Sequence, residues 1–126
     1  MARILVIDDD DAIRFSLKLA LEDAAHHVED AANGVEGMAR FRTNPADLVI
    51  TDIFMPEKEG LETIDEIKRS CPQTKIIAMS GGGSMDPEEY LEIARRVGAD
   101  RSLFKPFNIQ LIVATVDDLL GLGEIN

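Results

Sequence analysis

Residues 47–52 read D-L-V-I-T-D, a short aliphatic run opened and closed by an aspartate. It lacks the strict alternation of a strand with one wet face, and it suits a strand covered on both sides. Two other stretches share the form: Arg3 to Asp8 (R-I-L-V-I-D) and Lys75 to Ser80 (K-I-I-A-M-S), each closed by a polar residue. These three are expected to be central strands of a parallel sheet. His27 to Ala31 (H-V-E-D-A) alternates more, and Arg101 to Phe104 (R-S-L-F) is short and polar at its start, so both are expected at the edges.

Helical spacing fills the intervals. Ile13, Leu17 and Leu21 form one apolar stripe, Leu61, Ile64 and Ile67 a second, and Leu111, Thr115 and Leu119 a third. Tyr90, Ile93 and Val97 have core spacing on a further helix. Asn33 with Glu36, and Asp86-Pro87 with Glu89, read as capping boxes, while Gly98 and Gly121 read as stops. The order is five β-α units with no repeat and no low-complexity segment, which predicts an α/β fold with a doubly wound, five-stranded parallel sheet and five helices. Residues 1–126 are expected to be a single domain with a short tail from about residue 121 and no output domain.

Composition narrows the function. A chain of 126 residues, 45% apolar, fits one core and can bury roughly two-thirds of its unfolded surface. No stretch of about 18 apolar residues is present to span a bilayer, and the start does not read as a secretory signal; a cytoplasmic protein with no membrane partner is expected. Cys71 is the only cysteine, and S-C-P-Q places it at a helix end as an apolar contact. The net charge of -11 opposes nucleic-acid binding, which needs Lys and Arg against phosphates.

Ligands of doubly wound sheets bind beyond the carboxyl ends of the strands. The predicted strands end there with Asp8-Asp9, Asp52, Ser80 and Phe104-Lys105. Carboxylates so gathered repel, each pair about 4 Å apart by about 4 kcal/mol at an effective dielectric near 20. A cation must share the site, and oxygen ligands without His or Cys favour a hard one, Mg²⁺ first. A lysine and a hydroxyl on neighbouring strands would serve phosphoryl oxygens. Asp52, at the tip of the middle strand, is the best-placed nucleophile for an acyl phosphate.

The motifs I-L-V-I-D-D, D-L-V-I-T-D-I-F-M-P-E-K-E-G, I-I-A-M-S-G and L-F-K-P-F, in this order at successive strand ends, resemble the receiver domain of two-component response regulators over nearly the whole chain. The resemblance implies a flavodoxin-like strand order 2-1-3-4-5. It also implies a Mg²⁺-dependent switch that takes a phosphoryl group from a phosphohistidine onto Asp52, and is not a turnover enzyme. Asp9 and Asp52 become direct metal ligands, Asp8 the other member of the acidic pair, and the backbone carbonyl of Phe54 completes the protein's share. Ser80 becomes the hydroxyl that turns toward the phosphoryl group, and Lys105 the ammonium that pairs with it, before a Lys105-Pro106 bond that is often cis in the family. The implied partners are a sensor histidine kinase or histidine phosphotransfer protein and a separate effector, with the chain a monomer or weak dimer. The alternatives are a small Mg²⁺-dependent phosphohydrolase, which Phe54 disfavours by standing where the second acid of a D-x-D pair would be, and an interaction module that does not use phosphorylation.

Other features have simpler readings. Asp10 and Asp11 fall where the first helix begins, and capping and the favourable placement of acids at a helix amino terminus are expected to account for them. His26-His27 is expected in a solvated turn at the far end of the sheet. Arg95 and Arg96 are expected to be solvated. Gly81 to Gly83 and Ser84 lack the lysine of a phosphate-binding loop and are expected to be a loop that can rearrange beside Ser80.

Two departures from the family stand out. Ser102 occupies the position, three before the lysine, where receivers usually carry Tyr or Phe, and Phe104 is expected to point away from it. The fourth helix and glycine loop are therefore expected to carry more of the switch. Phe54 and Gly82 occupy positions that govern water's access to an acyl phosphate, and Phe54 is expected to slow its hydrolysis.

Overall fold

The computed structural model describes residues 2–53, 60–81 and 86–121. Its elements alternate along the chain as β1 (Arg3–Ile7), α1 (Asp11–Asp23), β2 (His27–Ala31), α2 (Gly34–Thr43), β3 (Leu48–Asp52), α3 (Gly60–Ser70), β4 (Lys75–Ser80), α4 (Pro87–Val97), β5 (Arg101–Phe104) and α5 (Ile109–Leu120). The five strands form one sheet in the order β2-β1-β3-β4-β5, every pair parallel.

The central strands are buried on both faces because each face has its own helical layer. Leu5, Ile7, Val49, Ile76 and Ala78 pack with Met38 and Phe41 of α2, Ile64 and Ile67 of α3 and Ala94 of α4. The alternate residues Ile4, Val6, Leu48, Ile50, Ile77 and Met79 pack with Leu17 and Leu21 of α1 and Ile112 and Val116 of α5. Two helices thus cover one face and three the other. Cys71 packs against the first cluster, as expected. Among the described residues, no helix is long and apolar enough to cross a membrane.

The helix starts follow from their caps. Asp10 accepts from the amides of Ala12 and Ile13 at 2.9 and 3.2 Å. Asn33 accepts from Glu36 at 2.8 Å, while the Glu36 carboxylate reaches back to the amide of Ala32. The Asp86 side chain accepts from the Glu88 amide, and the Glu89 amide donates to the Asp86 carbonyl. Gly98 and Gly121 close α4 and α5 with φ of 133° and 73°, values that glycine adopts without strain.

Three expectations are corrected. The buried stripe of α5 is Ile112 and Val116, whereas Leu111 is 49% exposed; a helix apolar on nearly every side does not reveal its phase. On α4, Ala94 is buried and Ile93 is exposed, because the helix packs over β4 and short β5 and the small residue allows the approach. Arg95 and Arg96 are solvated, as expected, and both pair with Glu92 at the surface. His26 is not in a solvated turn: its side chain is 2% exposed, its Nδ1 accepts from the amide of Ala2 at 3.2 Å, and Asp117 of α5 stands 3.8 Å from Nε2. Ala25, with φ of 74°, turns the chain inward there.

Candidate functional site

The three central strands and β5 deliver their last residues to one edge of the sheet. Asp8 follows β1, and its amide donates to the carbonyl of Ala31, the last residue of β2, at 3.1 Å. Asp52 ends β3, and the next amide, Ile53, donates to the carbonyl of Met79 at 3.0 Å. Ser80 ends β4 and its carbonyl accepts from the amide of Lys105 at 2.7 Å. Each residue is therefore held by the ladder on a neighbouring strand, and side chains placed this way inherit the rigidity of the sheet.

Asp8, Asp52 and Ser80 are buried, while Asp9 is exposed. One carboxylate oxygen from each of Asp8, Asp9 and Asp52 lies within 4.8 Å of the others. The Lys105 ammonium enters this cluster, 2.8 Å from Asp8 Oδ2 and 3.2 Å from Asp52 Oδ2. The second Asp8 oxygen accepts from the amide of Asp10 at 2.8 Å. Ser80 Oγ is buried and has no hydrogen-bond partner among the described residues, a donor that a polar ligand could use.

The electrostatics follow. Burial pushes the Asp8 carboxyl above its ordinary value, against Lys105 and the Asp10 amide, which pull it down, and with Asp9, which adds to the rise. Burial alone would lower the Lys105 ammonium, but Asp8 and Asp52 outweigh it and its pKa is raised. One ammonium among three carboxylates leaves a surplus of negative charge at a partly buried point. An all-oxygen donor set of this kind fits a hard divalent cation such as Mg²⁺.

Two glycines make the cluster possible. A Cβ on Gly60 would lie 2.2 Å from the carbonyl oxygen of Asp52 and 2.5 Å from Ile53 Cα, so the start of α3 rests directly on the backbone that carries Asp52. A Cβ on Gly81 would lie 2.4 Å from Lys105 Cβ, so the space that admits the lysine stem is the missing side chain of Gly81. Sequence reasoning treated Gly81 as part of a mobile run and left Gly60 without a role; a glycine directly after a site residue, or closing D-I-F-M-P-E-K-E-G, was the available signal.

Arg14 was also missed. Its guanidinium donates to the backbone carbonyl of Asp8 at 2.8 Å, to Asp30 Oδ2 at 3.0 Å and to Asp11. Its spacing of three from Asp11 on a helix was legible; its reach to β2 was not. Asp10 caps α1 and Asp11 lies in its first turn, both as expected, and Asp11 also pairs with Arg14. Phe54, Gly82, Gly83 and Ser84 lie outside the described residues. The Lys105-Pro106 bond is cis.

Ser102 and Phe104 line one cleft of about 400 Å³ together with Glu88, Glu92 and Arg95 of α4. This corrects the expectation that Phe104 points away from Ser102: residues two apart on a strand share a face. The Phe104 ring is 46% exposed on that face, so it does not fill the interior behind Ser102.

Comparison with known proteins places this arrangement. A family model described as response regulator receiver domain matches residues 4–117. The chemotaxis protein CheY of Halobacterium salinarum is 32% identical over 118 residues, covering 94% of this chain and 96% of the relative. The DNA-binding transcriptional regulator NtrC of Azospirillum brasilense is 37% identical over 120 residues, and there the chain spans 24% of the relative's length. A CheY-like response regulator receiver domain protein from Methanospirillum hungatei has a similar solved structure, with a TM-score of 0.88 at 32% identity, covering 96% of this chain and 94% of that one.

Proposed function

Because the chain belongs to the response regulator receiver domain family, whose members are signalling switches of two-component systems, we propose that it accepts a phosphoryl group on Asp52 and thereby alters binding to a separate partner. The observation that carries this reading is the Lys105 ammonium lying 3.2 Å from Asp52 Oδ2 beside two further carboxylates. A nucleophilic carboxylate, a counter-charge for the arriving phosphoryl oxygens and a set of hard-cation ligands thus share one point.

Asp9 and Asp52 would hold Mg²⁺ directly with Asp8 beside them, and the backbone carbonyl of Phe54 would complete the protein's share. Bound there, the ion would neutralise phosphoryl oxygens during transfer. An Asp52 oxygen attacks the phosphorus of a phosphohistidine on a sensor kinase or phosphotransfer protein. The new P–O bond forms as the P–N bond breaks, and its electron pair leaves with the imidazole nitrogen. Lys105 then exchanges its carboxylate partners for a phosphoryl oxygen, and the Ser80 hydroxyl donates to another. The acyl phosphate carries about -1.5 to -2 charge where the carboxylate carried one, so an edge already in surplus of negative charge becomes more negative. These new contacts supply the differential free energy that biases one conformation over the other.

The test is incubation with Mg²⁺ and acetyl phosphate followed by intact mass. A single phosphoryl adduct on the wild type that disappears in Asp52→Asn is expected; an adduct that survives the substitution would overturn the assignment.

A further inference from the structure

Asp9 is the exposed member of the acidic cluster, and among the described residues no hydrogen bond or ion pair holds its carboxylate. Among the described residues, its position is set by its backbone alone. The peptide that joins it to Asp8 is planar, so fixing the Asp8 carbonyl fixes the plane from which Asp9 departs. That carbonyl accepts from Arg14 Nη1 at 2.8 Å. The guanidinium is itself immobilised from two sides, by Asp30 of β2 through Nε at 3.0 Å and by Asp11 of α1 through Nη2, and its side chain is only 16% exposed. Arg14 thus ties the end of β1 to β2 and α1 with one planar fork.

We propose that Arg14 is a positioning residue for the divalent cation, setting Asp9 for coordination by clamping the Asp8–Asp9 peptide; this rests on the assignment of Asp8, Asp9 and Asp52 as the cation site. Charge and geometry make opposite predictions for this residue. As a nearby positive charge, Arg14 opposes a cation, so its removal would tighten binding. As a clamp, it favours the cation, so its removal weakens binding. Lysine keeps the charge and cannot reproduce the three-way planar fork, which separates the two. Groups that orient metal ligands from the outer shell typically govern affinity by roughly 10–100-fold.

Mn²⁺ binding is followed by the loss of the free-ion EPR signal in wild type, Arg14→Lys, Arg14→Gln and Asp30→Asn, with melting temperature measured on the same samples. Both Arg14 variants are expected to weaken Mn²⁺ by roughly 10-fold, and Asp30→Asn to weaken it in the same direction by less. Wild-type affinity, or tighter binding, in a folded Arg14→Lys or Arg14→Gln overturns the proposal, even if melting temperature falls, because that is the pattern of a structural role alone. Should both Arg14 variants fail to fold, unchanged affinity in folded Asp30→Asn overturns it. Absence of Mn²⁺ binding by the wild type would instead defeat the cation site itself.

Discussion

The ammonium of Lys105 is 3.2 Å from Oδ2 of Asp52, although 53 residues separate them. The contact depends on the cross-strand bond from the Lys105 amide to the Ser80 carbonyl and on the side chain that Gly81 lacks. Lys105 therefore does two things: it compensates buried carboxylates before any ligand arrives, and it stands ready for the ligand.

Replacing Lys105 by Met should separate these. Without a divalent cation, the buried acids lose their counter-charge, at a cost of roughly 1–3 kcal/mol. Mg²⁺ should stabilise the variant more than it stabilises the wild type, since the site is more negative. Phosphorylation by acetyl phosphate should nevertheless slow by roughly 100-fold, the usual effect of removing one donor to a developing charge. Urea titrations with and without Mg²⁺, paired with mass-spectrometric time courses, give both quantities; equal Mg²⁺ stabilisation of the two proteins would contradict the first.

The run Asp8 to Asp11 should divide under mutation. Asp10→Ala removes a side-chain cap and keeps the amide that serves Asp8, so it should cost about 1 kcal/mol and leave the extent of phosphorylation unchanged. Asp9→Ala should do the reverse, leaving stability nearly unaltered and abolishing Mg²⁺-dependent phosphorylation. Denaturation midpoints and adduct yields of the pair decide it.

The raised Asp8 carboxyl has a definite pH signature. Its folded value lies above the ordinary 3.8, so over the range just above 3.8 the folded state binds more protons than the unfolded one. Stability attributable to this group therefore falls as pH rises through that range and returns as pH drops. In chelator, the stability of Asp8→Asn relative to wild type should increase from acid toward neutral pH. A difference that stays constant with pH in urea melts would refute this.

Gly60→Ala forces a Cβ into backbone atoms of Asp52 and Ile53. A loss of roughly 1–3 kcal/mol is expected from the overpacking, with slower phosphorylation because the shift falls on the segment that carries the acceptor. Urea midpoints and acetyl phosphate kinetics test it; a variant unchanged in both would show that α3 gives way freely.

Ser102 beside the α4 cleft leads to a prediction about the switch. Amide chemical shifts compared with and without a phosphoryl mimic should change from Ser80 through α4 to Gly98. No change over that span would exclude α4 as the moving element.

Much of this was legible in the chain because parallel central strands have a distinctive composition. D-L-V-I-T-D and K-I-I-A-M-S could be placed from residues alone, and β4 begins and ends where K-I-I-A-M-S does. Asp8, Asp9, Asp52, Ser80 and Lys105 followed as strand-end residues, and the structure brings the acids and the lysine into contact range. What escaped was of another kind. The phase of α5 was hidden by its near-uniform apolarity. The burial of His26 depends on a contact with Ala2 from 24 residues away. Gly60, Gly81 and Arg14 act through close approaches between segments that spacing along a sequence does not encode.

The bond from the Lys105 amide to the Ser80 carbonyl has a mechanical consequence. The hydroxyl and the ammonium are mounted on one stiff coupling, so a pull on either is transmitted to the other through the strand tips. A displacement at the end of β4 would drag β5 with it, and the cleft beside Ser102 and Phe104 would register the load. The protein would then behave as a lever with a short input arm among the carboxylates and an output arm along the outermost strand.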